Sequence, residues 1–157
     1  MIYYAPGEAE SKAESDFQRR LTANGRDDIV QMVRSYEQAL SSVDVIWASP
    51  YIRAQQTAEL VASHLPRPVI TQAFLPPNGC PDHVVSVLMG HSEQTVLIVS
   101  HQPLVGILVD QLAGLEPGRY RMGTGALAYL TTDIYANGCC DLQWLHQPLS
   151  TQAVSIG

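Results

Sequence analysis

Basic residues are scarce in this 157-residue chain, which has nine lysines and arginines against fifteen aspartates and glutamates and a formal net charge of −6. Polyanions repel a chain with this balance, so we expect neither nucleic acid nor an anionic membrane as its main partner. Eight of the nine basic residues are arginines, and none lies between Arg67 and Arg119. Any site for a small anion therefore depends on very few cations.

Long apolar runs and paired cysteines are also missing. No stretch reaches the roughly 18 apolar residues of a membrane-spanning helix, and the N-terminus lacks the charged-then-apolar order of a signal peptide, so we expect a soluble, cytoplasmic protein. The three cysteines are an odd number, and two of them are neighbours, which predicts free thiols. Since the chain has no Cys-x-x-Cys pair and no His-rich helix, we expect neither a metal nor a cofactor.

Hydrophobic residues make up 46% of the chain, enough for one domain over residues 1–157 with its own core. Apolar runs of strand length alternate with segments of helical period, which is typical of an α/β sandwich with a mostly parallel sheet. Gly114 is a suitable helix stop, and Asp82 is a candidate helix cap. The predicted strands cover residues 1–5, 43–48, 69–71, 95–100, 126–132 and 141–146; the predicted helices cover 22–40, 52–65, 82–89 and 104–112.

Unusual residues follow three of the predicted strands, at 5–8, 49–53 and 100–103. In open α/β sheets, ligands bind at the carboxyl ends of the strands. Arg53 falls in the first turn of a predicted helix, where free N–H groups and the helix dipole favour an anion. His101 directly follows the most apolar strand. A guanidinium and an imidazole so placed predict a small anion pocket, best suited to phosphate, although a surface arginine and a structural histidine are the plainer interpretation of each residue alone.

Three segments of the chain resemble motifs of the histidine phosphatase superfamily: residues 19–25 (RRLTANG), 49–58 (SPYIRAQQTA) and 100–106 (SHQPLVG). Their order and spacing are most similar to the small SixA-type protein phosphohistidine phosphatases, and the resemblance covers essentially the whole chain. It implies a three-layer sandwich in which helices flank a mostly parallel sheet of about six strands. It also implies a pocket at the carboxyl edge of that sheet, where two arginines and two histidines hold a phosphoryl group and the first histidine is transiently phosphorylated.

The resemblance assigns roles to individual residues. Arg53 matches the second arginine of the family, and His101 matches the second histidine. Arg19 matches the arginine before the family's Leu-Thr-x-x-Gly segment, although the neighbouring Arg20 leaves that register open. The implied phosphate-binding set is therefore Arg53, His101 and Arg19.

The first-strand motif of the family, Arg-His-Gly, is degenerate in this chain. Ala5 stands where the arginine belongs, Pro6 stands where the nucleophilic histidine belongs, and only Gly7 remains; no Arg-His pair occurs anywhere in the sequence. Proline has neither a side-chain nucleophile nor a backbone N–H. Because loss of a nucleophile costs on the order of a millionfold in turnover, the sequence predicts a catalytically inactive or much weakened protein.

Three functions remain open from the sequence. The first is binding of phosphate or of a phosphorylated histidine domain through Arg53, His101 and Arg19, tighter below the pKa of His101. The second is an active phosphohistidine phosphatase that uses rewired residues around His101. The third is a scaffold in which the pocket is a remnant. The sequence makes no prediction of oligomeric state.

Two further residues have both a structural and a functional interpretation. Tyr51 is expected to pack rather than to line the site. Asp82 falls in a segment that the family places over the pocket, where a carboxylic acid could donate a proton, but a helix cap is the more economical role.

Overall fold

A computed structural model describes residues 2–4, 9–10, 15–91, 94–116 and 122–147, with backbone alone for the first of these segments. Within these ranges six strands alternate with five helices and a short 3-10 helix, Asp16–Gln18. The strands are β1 Ile2–Tyr4, β2 Val45–Ala48, β3 Val69–Thr71, β4 Val96–Val99, β5 Leu127–Thr131 and β6 Asp141–His146. The helices are α1 Ala23–Ser35, α2 Glu37–Leu40, α3 Ile52–His64, α4 Pro81–Met89 and α5 Leu104–Ala113.

The strands form one sheet in the order β3-β2-β4-β1-β5-β6. The first four in this order are mutually parallel, and β5 and β6 are antiparallel to their neighbours. Val99 pairs with both Tyr4 and Ala48, so β1, β2 and β4 end at the same edge. The predicted α/β class with a mostly parallel sheet is confirmed. The candidate site residues come shortly after these strand ends in the chain.

Both faces of the sheet are covered by helices, which explains why β2 and β4 are continuously apolar. Ile46, Ala48, Leu97 and Val99 pack with residues of α1 and α3 on one face. Their sequence neighbours in the same two strands pack with α4 and α5 on the other. Burying each large side chain of this kind contributes roughly 1.5–3 kcal/mol, so the two cores hold the strand ends in fixed positions. The result is the three-layer sandwich that the resemblance implies.

The helix predicted over residues 22–40 is two helices. Thr22 caps α1 by accepting a hydrogen bond from the Gly25 N–H at 3.0 Å, and the helix ends before Tyr36. The Tyr36 ring stacks on Trp144 with 4.6 Å between ring centroids, and its hydroxyl lies 2.8 Å from Nδ1 of His146. These contacts with β6 coincide with the break between α1 and α2. No pattern in the neighbouring sequence predicts them.

The predicted capping role of Asp82 is wrong. Cys80 is the N-cap of α4, and Pro81 occupies the first helical position, where its missing N–H costs nothing. Asp82 lies inside the first turn and accepts a hydrogen bond from Nε2 of Gln111 at 2.8 Å. The predicted stop at Gly114 is confirmed, because this glycine is the C-cap of α5 and has a φ of 68°.

None of the helices in the described ranges has the length and the apolar character that crossing a membrane requires.

Candidate anion-binding site

Three segments meet at the edge where β1, β2 and β4 end. Ser49 directly follows β2, and Arg53 lies in the first turn of α3, which begins at Ile52. His101 follows β4 by two positions. The loop before α1 contributes Asp16 and Arg19, so the structure brings together the predicted residues Arg53, His101 and Arg19.

The Arg53 side chain is turned inward and is held by the loop before α1. The residue is only 8% exposed. Its Nη1 donates to the backbone carbonyl of Asp16 at 2.8 Å, and its Nη2 donates to Oδ2 of the same residue at 3.3 Å. A guanidinium has five N–H donors, so these two bonds leave others for a ligand.

Arg19 and Arg20 have different surroundings. Nη1 of Arg19 donates to Oδ1 of Asp16 at 3.0 Å, and its Nε donates to the carbonyl of Glu10 at 2.5 Å. Arg20 is exposed to solvent. Arg19 is therefore the arginine that shares a carboxylate with Arg53.

Asp16 is a site residue that the sequence analysis missed. Its two carboxylate oxygens pair with two different guanidinium groups. Partial burial acts to raise its pKa, but the hydrogen bond from Arg19 and the charge and hydrogen bond of Arg53 outweigh this effect, and the pKa is lowered. The carboxylate is thus ionised at neutral pH and neutralises one of the two cations. Asp16 and Arg53 are 37 positions apart, so no local pattern marks their pairing.

His101 is almost completely buried, at 3% exposure. Its Nε2 lies 2.7 Å from Oγ of Ser49, which also accepts a hydrogen bond from the Tyr51 N–H at 3.3 Å. We assign the imidazole proton to Nδ1, with the Ser49 hydroxyl donating to Nε2. Nδ1 has no hydrogen-bond partner among the described residues. It is therefore a buried donor suited to an anionic oxygen.

The pKa of His101 is lowered to about 3, chiefly because the imidazole is buried. The positive charge of Arg53 also lowers this pKa, and its effect is larger than the opposite effect of the Asp16 carboxylate. The imidazole is consequently neutral at any physiological pH. Anion binding was expected to tighten below the pKa of His101, and in the structure without a bound anion that pKa lies near 3, far below its ordinary value. Sequence alone suggested an ordinary histidine pKa because it did not reveal the burial.

Tyr51 lies at the centre of the cluster, although it was expected only to pack. Its ring centroid is 5.0 Å from that of His101, and Cζ of Arg53 lies 5.2 Å from the same ring. Phe17 packs against it from the loop side, with 5.1 Å between centroids. Tyr51 thus fixes the spacing between the guanidinium and the imidazole.

Several predicted positions are not part of this cluster. Ala5, Pro6 and Gly7 lie outside the described residues. Asp82 is bonded to Gln111 near the far end of α5, the helix that begins beside His101, so it lies away from the site. Within the described ranges, no group of three or more His, Cys, Asp or Glu side chains is arranged to hold a metal ion. The cluster contains two guanidinium groups and one neutral imidazole, which are hydrogen-bond donors suited to an anion.

Comparisons with known proteins show which proteins this chain is similar to. The family model described as the histidine phosphatase superfamily (branch 1) matches residues 7–75. The phosphohistidine phosphatase SixA of Escherichia coli (strain K12) is 32% identical over 143 residues, which are 87% of this chain and 88% of that protein. A SixA homolog of Haemophilus influenzae is 37% identical over 120 residues, covering 69% of this chain and 73% of the homolog. The solved structure of the protein histidine phosphatase SixA complexed with tungstate superposes with a TM-score of 0.84 at 31% identity, over 96% of this chain and 99% of that one.

Proposed function

Because the chain belongs to the histidine phosphatase superfamily, with SixA proteins among its relatives, we propose that it is a non-hydrolytic member that binds phosphate or a phosphorylated histidine domain. The binding residues are Arg53, His101 and Arg19. The proposal includes a cytoplasmic location for the protein.

The observation that carries the loss of hydrolysis is Pro6. The resemblance places the nucleophilic histidine of the family at this position and an arginine at Ala5. Both follow β1, whose last residue pairs with the end of β4, the strand that leads to His101. A proline there cannot form the phosphoramidate bond of a phosphoenzyme, and an alanine cannot neutralise charge on the transferred oxygens. Two losses at one catalytic centre are difficult to compensate.

The retained side chains support binding without turnover. Within the described ranges, Arg53 is buried and has N–H donors left over from its two bonds to Asp16, and Nδ1 of His101 is buried without a hydrogen-bond partner. Charge-assisted bonds from guanidinium groups are the usual means of holding a phosphoryl group. A similar structure, that of SixA, was solved with tungstate, an oxyanion of phosphate-like shape, which supports the same ligand class for this chain.

The binding half of the proposal is tested by titrating the protein with inorganic phosphate and with tungstate in a calorimeter. We expect Arg53→Ala to abolish measurable binding. Arg34→Ala is the matched control, because Arg34 is an exposed arginine in the last turn of α1, and it should leave binding unchanged. If neither oxyanion binds, or if both variants behave alike, the binding function is wrong.

A rewired phosphatase is the second candidate, because the hydrogen bond between Ser49 and His101 is of a kind that activates hydroxyl nucleophiles. Against it, the buried Ser49 oxygen already accepts a hydrogen bond from the Tyr51 N–H, which holds it against His101. Incubation with a phosphorylated histidine phosphotransfer domain distinguishes the two candidates. We expect no phosphate release from the natural chain and a gain of release in the double variant Ala5→Arg with Pro6→His. Turnover by the natural chain that is lost in His101→Ala would establish the second candidate instead.

A further inference from the structure

Helix α4 forms one wall of an open groove on the face of the sheet that α4 and α5 cover. Four residues of this helix line the groove: Asp82, Val85, Ser86 and Met89. Their spacing of i, i+3, i+4 and i+7 places them in one stripe along the helix, about 10 Å long. The loop over residues 132–140, between β5 and β6, contributes Ala136 and Asn137, and the groove has a volume of about 310 Å³.

The loop 132–140 is fixed to α5 and to the core by hydrogen bonds. Nε2 of Gln111 donates to Oδ1 of Asp82 at 2.8 Å and to Oδ1 of Asn137 at 2.9 Å, so this one side chain joins the two walls. The buried Tyr135 donates its hydroxyl proton to the carbonyl of Gln94 at 2.6 Å. The groove is therefore preformed.

Two large apolar side chains are exposed at this groove. Met89 is 57% exposed, and Ile134, two positions before Ala136, is 61% exposed; they are the most exposed of the large hydrophobic residues in the described ranges. Ile134 is held outward, because its N–H donates to the hydroxyl of Thr132 at 3.0 Å and the next residue, Tyr135, is buried. Exposed apolar residues that group around a groove are typical of a contact surface for another molecule.

The charge around the groove has one sign. Neither helix, α4 or α5, contains a lysine or an arginine, and the loop 132–140 contains none either. Asp82 lines the groove, and Asp133 lies next to Ile134; both carboxylates are on exposed residues. A second copy of this chain would bring the same carboxylates to the contact, and nucleic acid or an anionic membrane would be repelled. Charge complementarity therefore selects a cationic partner.

We propose that this groove binds a basic amphipathic segment of another protein, with apolar side chains against Met89 and Ile134 and with lysines or arginines beside Asp82 and Asp133. The apolar contacts supply affinity, and the charges orient the partner and speed its association. The inference goes beyond the proposed function and does not depend on it. Gln111, which joins the walls of the groove, lies in the last turn of α5, whereas the anion site is at the beginning of that helix.

The test uses a synthetic amphipathic helical peptide of leucine and lysine as the probe and measures its affinity by fluorescence anisotropy. The measurement is made at pH 8, where ordinary imidazoles are uncharged, because His83 and His91 are also exposed on this side of the molecule. We expect the probe to bind the natural chain and to bind more weakly as salt is added. Oligolysine, which offers charge alone, and a leucine–glutamate peptide of the same length should bind roughly tenfold more weakly or less.

Substitutions locate the bound probe. At low salt, Ile134→Ala and Asp133→Asn should each weaken its binding roughly fivefold, as for loss of one apolar anchor and of one charge pair. Val69→Ala is the apolar control, because Val69 is exposed and pairs with Ile46, whose side chain faces α1 and α3. Asp27→Asn, at an exposed position of α1, is the charge control. Both controls should leave the affinity unchanged.

Backbone NMR of the natural chain should show shifts in α4 and in the loop 132–140 when the probe is added, and none in α1. The inference is overturned if the probe does not bind, or if Ile134→Ala and Val69→Ala behave alike. Competition by inorganic phosphate at matched ionic strength would place the probe in the anion site, which also overturns it. A dimer in the ultracentrifuge that dissociates in Ile134→Ala would assign the groove to a second copy of the chain instead.

Discussion

Burial of a neutral His101 makes the stability of the protein depend on pH. The pKa of this imidazole is about 3 in the folded protein, against an ordinary value of 6.5. As the pH falls below 6.5, the unfolded chain takes up a proton at this position and the folded protein does not. The stability contribution is therefore fully present above pH 6.5 and is lost progressively as the pH falls towards 3.

The size of the effect follows from the two pKa values. Stability falls by at most about 1.4 kcal/mol for each pH unit inside this window, and integration from pH 7 to pH 5 gives a loss on the order of 2 kcal/mol. Since single domains have a total free energy of unfolding of about 5–15 kcal/mol, this one residue accounts for a substantial share of acid sensitivity.

The assay is urea denaturation of the natural chain and of His101→Gln at pH 7, 6 and 5. Glutamine does not titrate, so the natural chain should lose on the order of 2 kcal/mol more than the variant between pH 7 and pH 5. His91→Gln is the control, because His91 is exposed, and its pH dependence should follow that of the natural chain. Parallel curves for the natural chain and His101→Gln would refute the argument.

Two further predictions concern the partners of the site. Ser49→Ala removes the hydroxyl beside Nε2 of His101, so we expect the free energy of unfolding to fall by about 1–3 kcal/mol. Nitrogen NMR should show that the imidazole is no longer held as the single Nδ1–H tautomer, and an unchanged imidazole spectrum would contradict this assignment. Asp16→Asn removes a carboxylate that competes with a bound anion for the two arginines. Since two close unit charges interact by about 1 kcal/mol in water, we expect inorganic phosphate to bind roughly fivefold more tightly to this variant at low salt. Weaker binding by Asp16→Asn would instead show that the carboxylate chiefly positions the two arginines.

The parts of the fold that the sequence predicts are those with a local physical signal. The apolar runs of β2 and β4 identify strands covered on both faces. Arg53 and His101 lie within a few positions of the carboxyl ends of these two strands. The rule that parallel strands place ligands at their carboxyl ends was then sufficient to bring Arg53 and His101 to one edge. The structure places both there, although they are 48 positions apart in the printed sequence.

The remaining features arise from contacts between distant segments. Asp16 resembles any acidic residue of a polar loop until the fold brings it between two arginines. The break at Tyr36 coincides with contacts to Trp144 and His146, which belong to β6. The shift in the pKa of His101 depends on how completely neighbouring segments exclude water, a property that no spacing of residues encodes.

The charge of the site favours a ligand that offers more than a phosphate. Arg19 and Arg53 contribute two positive charges, Asp16 cancels one, and His101 contributes none, so these four residues present a net charge of one. Such a site attracts a dianion only modestly once salt screens it. A phosphorylated protein that also contacts residues beyond these four is therefore expected to bind more tightly than free phosphate does, and its binding should depend less on salt.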